Sequence, residues 1–140
     1  MSLNLTDSLL SQIIEHAKEG YPLEACGLLS GAKGQLKRFY PMENAAQSGT
    51  KYMMDSRQQL QVMQAIDGDS EEVLGIYHSH VASDAFPSAT DVEQAFYPDA
   101  SYIIVSLQDM DSPQVRSYRI VDGKIEEEPI EMTHSHEEIA

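Results

Sequence analysis

Apolar residues first recur at helical spacing. Leu9, Leu10, Ile13, Ile14 and Ala17 form one stripe, which predicts an amphipathic helix over 6–19. Thr6 can cap its start, and Gly20 followed by Pro22 can stop it. The pattern then changes to short apolar runs. EACGLLS at 24–30 reads as a buried strand and QLKRFYP at 35–41 as its hairpin partner, with Gly31 and Gly34 bracketing the turn. The polar segment 42–51 reads as a loop and KYMMD as a short strand. A second helix is expected over about 57–66, capped by Asp55 or Ser56, with Leu60, Met63 and Ile66 on one side. DGDS at 67–70 reads as a turn. VLGIYHSH at 73–80 and SYIIVSL at 101–107 are strongly β-like; between them lie a loop through Phe86 and Pro87 and a short helix over about 89–96. QVRSYRI at 114–120 alternates as a half-exposed strand does, and Asp122-Gly123 is a hairpin signal into KIEEEPIEM.

Helices interspersed with strands predict an α/β or α+β domain around a central mixed β-sheet. No repeat or linker divides the chain, so one domain over 1–132 is expected, followed by a flexible acidic tail over 133–140.

Charge narrows the partners. Asp and Glu number 23 against 9 Lys and Arg, a net charge of −14. That balance argues against a phosphate backbone, since no basic stripe could release its counterions. It argues equally against an anionic membrane surface. Glu126, Glu127, Glu128, Glu131, Glu137 and Glu138 concentrate near the C-terminus and read as a solvated edge and tail. Cys26 is the single cysteine, so no intramolecular disulfide is available. The first residues carry no basic, apolar leader pattern, and no apolar run approaches the ~18 residues of a membrane span. A cytoplasmic protein is expected.

The chemistry concentrates in His78-Ser79-His80, followed after seven residues by Ser88-Ala89-Thr90-Asp91. On a strand, positions i and i+2 share a face, so both imidazoles can meet one ion. Asp91, on the first turn of the next helix, could fold back as a third ligand. Two His and one Asp leave a tetrahedral zinc one open position, which separates a catalytic site from a closed structural one. The tripeptide alone is weak: His134-Ser135-His136 repeats it among glutamates, without an apolar strand or a trailing Ser-x-x-Asp. Ser88 and Asp91 also read simply as a helix capping box.

Together, His78-Ser79-His80, the seven-residue spacer, Ser88 and Asp91 resemble the signature of the JAMM/MPN metallopeptidases. Upstream, Glu24-Ala25-Cys26-Gly27-Leu28-Leu29-Ser30-Gly31 is similar to the segment carrying that family's catalytic glutamate, and it follows an N-terminal helix as in the family. The resemblance covers roughly residues 5–120. It implies a single JAMM/MPN domain whose sheet is flanked by helices, with a fold related to that of the zinc cytidine deaminases. It also implies one Zn²⁺ on His78, His80 and Asp91, Glu24 as general base, and Ser88 as donor to the oxyanion. Val81 stands where many bacterial relatives have proline, and the seven-residue spacer is unusual in carrying Ser83-Asp84-Ala85-Phe86; neither departure touches a ligand position.

The short bacterial members imply a substrate. They act on small ubiquitin-like or sulfur-carrier proteins ending in Gly-Gly, releasing cysteine or another adduct. Such a carrier is the expected partner, and a homodimer is compatible with the chain. The alternative is a non-catalytic MPN-type interaction module. A deaminase would need His-x-Glu with Pro-Cys-x-x-Cys, which one cysteine cannot supply. Ser79 is expected on the opposite strand face, Asp84 in solvent, and Cys26 as a buried thiol, with metal contact or redox inhibition as its sharper alternative.

Overall fold

The computed structural model describes residues 2–133. The tail's His134-Ser135-His136 lies outside the described residues. In chain order the elements are β1 (Leu3–Thr6), α1 (Asp7–Gly20), β2 (Cys26–Ala32), β3 (Gln35–Met42), α2 (Ser56–Gly68), β4 (Glu72–His80), α3 (Ala89–Glu93), β5 (Ser101–Ser106), β6 (Gln114–Val121), β7 (Lys124–Glu128) and β8 (Ile130–Thr133). Six strands form one mixed sheet in the order β3-β2-β4-β5-β6-β7. Only β4 and β5 run parallel within it, as the crossover through α3 requires.

Alternation along the central strands divides the core in two. Leu29, Tyr77, Ile103 and Val105 point to one face, where they meet Leu9, Ile13 and Ala17 of α1. Cys26, Leu28, Ile76, Tyr102, Ile104 and Tyr118 point to the other, against which Val62 and Met63 of α2 pack. Each fully buried side chain of this size contributes roughly 1.5–3 kcal/mol. The predicted cap of α1 forms: the Leu9 amide donates to Thr6 Oγ1 at 3.1 Å. Both tight hairpins use a left-handed pair, Lys33-Gly34 with φ of 54° and 77° and Asp122-Gly123 with 51° and 78°, which suits the twist of the flanking strands.

Several expectations change. Leu3–Thr6 is a strand, and it pairs in parallel with Ile130–Thr133 in a separate two-stranded sheet. The second hairpin arm is therefore split at Pro129, which has no amide hydrogen to continue a ladder. KYMMD contributes only an isolated bridge, Asn44 to Met54. Helix α2 starts at the Asp55 cap and absorbs Asp67 and Gly68; its inner stripe runs through Val62, Met63 and Ile66, leaving Leu60 59% exposed. Helix α3 ends at Glu93, short of the expected 96. Pro98 biases Tyr97 away from helical geometry, and the Tyr97 amide donates to Tyr102 Oη at 2.9 Å instead. Glu128 is buried, taking a hydrogen bond from Ser117 Oγ at 2.8 Å, so the acidic edge is not wholly solvated. No helix among the described residues is long and apolar enough to cross a membrane.

Candidate metal centre and active site

The site forms at the C-terminal end of β4. Cys26 of β2 stands opposite His78 of β4. The antiparallel ladder runs on through the Ser79 amide to the Ala25 carbonyl at 2.9 Å. One further step along both strands brings Glu24 to the His80 end, on the sheet face of Cys26 and His78. Ser79 points to the opposite face, where its buried Oγ accepts from the Ala25 amide at 2.8 Å. It thereby fixes the backbone beside Glu24.

The second anchor of Glu24 was not legible in the sequence. The Glu24 amide donates to the Ser48 carbonyl at 2.8 Å, and Asn44 Nδ2 donates to the Glu24 carbonyl at 3.0 Å. Asn44 Oδ1 accepts from the amides of Ala46 and Met53, so one amide side chain organises the loop and holds it to Glu24. An asparagine in a polar loop gives no sequence signal of that role.

His78, His80 and Asp91 converge. His78 Nε2 and His80 Nε2 lie 3.1 Å apart, and Asp91 Oδ2 lies 3.1 Å from the first and 3.0 Å from the second. Both histidines are buried. The helix start supplies the rest. Ser88 Oγ accepts from the Asp91 amide at 3.1 Å and Asp91 Oδ2 accepts from the Ser88 amide at 2.9 Å, a complete capping box. The capping reading and the clustering of Asp91 with the histidines therefore hold together. Ser88 itself is exposed, and its hydroxyl proton is not used by the cap.

The spacer loop is pinned from both sides. His80 Nδ1 donates to the Asp84 carbonyl at 2.7 Å, Ser106 Oγ to the Ser83 carbonyl at 2.6 Å, and Tyr118 Oη to the Ala85 carbonyl. Asp84 thus acts through its backbone while its side chain is exposed, a contribution invisible to residue type.

The donor chemistry fits a divalent cation. With Nδ1 donating to Asp84, a neutral His80 presents a lone pair at Nε2. His78 Nδ1 is buried without a partner. With the proton of each ring on Nδ1, two lone-pair nitrogens and a carboxylate oxygen face one point, an arrangement that positive charge relieves; with a proton on Nε2, either ring donates to Asp91 Oδ2 instead. Zinc bonds of ~2.0–2.1 Å would separate tetrahedral ligand atoms by about 3.3 Å, close to the spacings seen here. Among the described residues, these three side chains form the cluster that can hold a metal. The Cys26 thiol is not part of it. It lies 3.7 and 3.9 Å from the Glu43 and Met42 carbonyls, and burial, reinforced by Glu24, pushes it up to about 12.

Electrostatics separate the acids. Burial alone would raise the Asp91 carboxyl, but its hydrogen bonds with His78 and His80 outweigh that and carry it well below the usual range. Glu24 is 5% exposed and its Oε1 has no partner. Burial lifts its carboxyl to about 7, with His80 pulling it down and Asp91 pushing it up. Two carboxyls with values driven this far apart can serve different roles in one site. Burial lowers His78, whereas for His80 it is outweighed by Asp91 and the Asp84 carbonyl, and the ring is raised.

Sheet, crossover and site together define an α+β domain with a candidate metal centre at the C-terminal end of β4. The family described as prokaryotic homologs of the JAB domain matches residues 6–121. A protein named CysO-cysteine peptidase from Mycobacterium tuberculosis is 44% identical over 130 residues, covering 91% of this chain and 89% of the relative. A desampylase from Haloferax volcanii is 35% identical over 111 residues, covering 74% and 80%. A solution structure of a protein from Desulfitobacterium hafniense superposes with a TM-score of 0.86 at 35% identity, over 96% of this chain and 94% of that one. The fold also matches a JAB1/MPN domain protein from Archaeoglobus fulgidus, at a TM-score of 0.61 and 23% identity over 93% and 98% of the two chains. The chain belongs to the prokaryotic JAB-domain family. It is a hydrolase of the peptidase class.

Proposed function

We propose that the protein uses zinc to hydrolyse the amide or isopeptide bond after the C-terminal Gly-Gly of a small ubiquitin-like or sulfur-carrier protein, releasing cysteine or another adduct. His78, His80 and Asp91 hold the ion, which when bound supplies the positive charge that acidifies water and polarises the scissile carbonyl. Glu24 takes the proton from the attacking water and delivers it to the leaving amine. Its carboxyl is buried at the His80 end of the site with Oε1 free of other protein partners, so it can take up that proton. Ser88 accepts the Asp91 amide through Oγ, which leaves its O–H to donate to the developing oxyanion.

The observation that carries this reading is the convergence of three ligand atoms within 3.0–3.1 Å beside a buried carboxylate oxygen without a partner. The substrate class rests on the relatives, one named for CysO-cysteine and others for desampylation. With all metal donors present, no observation favours the non-catalytic interaction module.

The test is hydrolysis of a carrier protein with cysteine attached after its terminal Gly-Gly, followed by mass spectrometry. Wild-type protein loaded with zinc is expected to release cysteine and Glu24→Gln to retain zinc but not activity. A Glu24→Gln rate equal to wild type overturns the assignment of the base. The same variant, used to capture proteins from cell extract, should enrich a small chain ending in Gly-Gly.

A further inference from the structure

The two histidines are oriented by different means. His80 has a partner for its distal nitrogen, the Asp84 carbonyl at 2.7 Å. His78 has none: its Nδ1 is buried and unpartnered. A metal-binding histidine ordinarily donates that second N–H to a carbonyl, carboxylate or water, which fixes ring plane and tautomer. With no protein hydrogen bond at Nδ1, the protein groups that limit rotation of the His78 ring are those packed against it. Tyr52 supplies it. Its ring lies on the His78 imidazole with centroids 4.5 Å apart and planes inclined by 21°.

Tyr52 is itself held in place. The next residue, Met53, donates its amide to Asn44 Oδ1 at 3.0 Å, and Met54 pairs with Asn44 in the isolated bridge. The side chain also lines a half-open, mostly apolar pocket of about 260 Å³ with Leu28, Ile76 and Tyr102. The Tyr52 ring thus separates that pocket from the metal ligands. Removing the ring would open the pocket onto His78 and free the imidazole to turn.

We propose that Tyr52 is a positioning residue for the metal centre: its stacked ring, rather than a hydrogen bond, holds His78 in the orientation that points Nε2 at the site shared with His80 and Asp91. The inference rests on the metal-site reading above. The aromatic face is the active feature, and the phenol hydroxyl is dispensable.

The test compares Tyr52→Phe, Tyr52→Leu and Tyr52→Met in the full chain. Metal affinity is read by zinc competition against a chromophoric chelator, and ligand geometry by the visible absorption of the cobalt-loaded protein. Tyr52→Phe is expected to bind zinc within about twofold of wild type with the same cobalt spectrum. Tyr52→Leu and Tyr52→Met are expected to bind ~10–100-fold more weakly, the usual cost of losing an outer contact that orients a ligand, with an altered cobalt spectrum. Met fills much of the ring's volume without its plane, so it carries the comparison if the Leu variant does not fold. Zinc affinity of the Met or Leu variant equal to wild type overturns the inference, as does a Phe variant as weak as Met. Wild-type protein that takes up no metal overturns the metal-site reading and this inference with it.

Discussion

Strand β4 serves two faces that differ in kind. Toward α1, Tyr77 and Ser79 enter a closed layer in which Ile13, Leu29, Ile103 and Val105 are fully buried and Ser79 Oγ has its partner in the Ala25 amide. Toward α2 and α3, one residue away in each direction, His78 and His80 enter a polar cluster. That side retains two buried atoms without partners, Glu24 Oε1 and His78 Nδ1. Unsatisfied buried polar groups cost roughly 1–3 kcal/mol each. The apolar face therefore supplies stability from which the other face can maintain poorly satisfied groups, aimed where a cation and a substrate would complete them.

That contrast can be broken by mutation. The largest effect is expected from His78→Ala or Asp91→Ala, or from chelation: metal content measured by plasma emission falls to zero and hydrolysis to background. Metal retained in His78→Ala would remove His78 from the ligand set. Glu24→Gln should lower kcat by ~10²–10⁴-fold with metal unchanged. Ser88→Ala should lower kcat by ~10²–10³-fold and cost about 1 kcal/mol through the lost cap, whereas Ser88→Thr should largely restore both. On the opposite face, Ile13→Ala should cost ~2–5 kcal/mol of unfolding free energy in a denaturant titration while zinc affinity is unchanged. A matching loss of zinc affinity would show that the two faces are not separable.

The smallest effect is a pH slope. In metal-free protein Glu24 is held near 7, above its ordinary value of 4.5. The folded state then binds more protons than the unfolded chain between those values, so this group stabilises the fold fully at low pH and its contribution is lost as pH rises from about 4.5 to about 7. The difference in stability between wild type and Glu24→Gln should change across that window and be flat above it. A flat difference throughout would mean that the carboxyl is not desolvated.

Much of this was legible because it is local. The stripe of α1, the apolar runs of β4 and β5, and both hairpin turns follow from periodicity and from residues suited to left-handed backbone. The strand placing His78 and His80 on one face and the cap placing Ser88 and Asp91 together are both short-range geometry. The parts that escaped depend on distant partners. LNLT is too short to announce itself, and Leu3–Thr6 becomes a strand only because Ile130–Thr133 lies beside it. Leu60 has helical spacing like its neighbours, but the direction of α2 over the sheet turns it to solvent. Asn44 and Tyr52 look like ordinary loop residues until the fold brings one to the backbone of Glu24 and the other onto His78.

By itself, the sequence determined the donor atoms. The types and spacing of His78, His80, Ser88 and Asp91 already contain the geometry of a strand end followed by a capped helix. Tertiary structure alone decided how those donors are oriented and charged. It ran β2 antiparallel to β4, bringing Glu24 to His80, and buried the Glu24 carboxyl so that it lies near 7. It turned the Asp84 carbonyl onto His80 and laid the Tyr52 ring on His78. The physical reason is that ligand identity is a property of side chains, whereas orientation and proton affinity are properties of the groups packed around them, which the chain brings together only by folding.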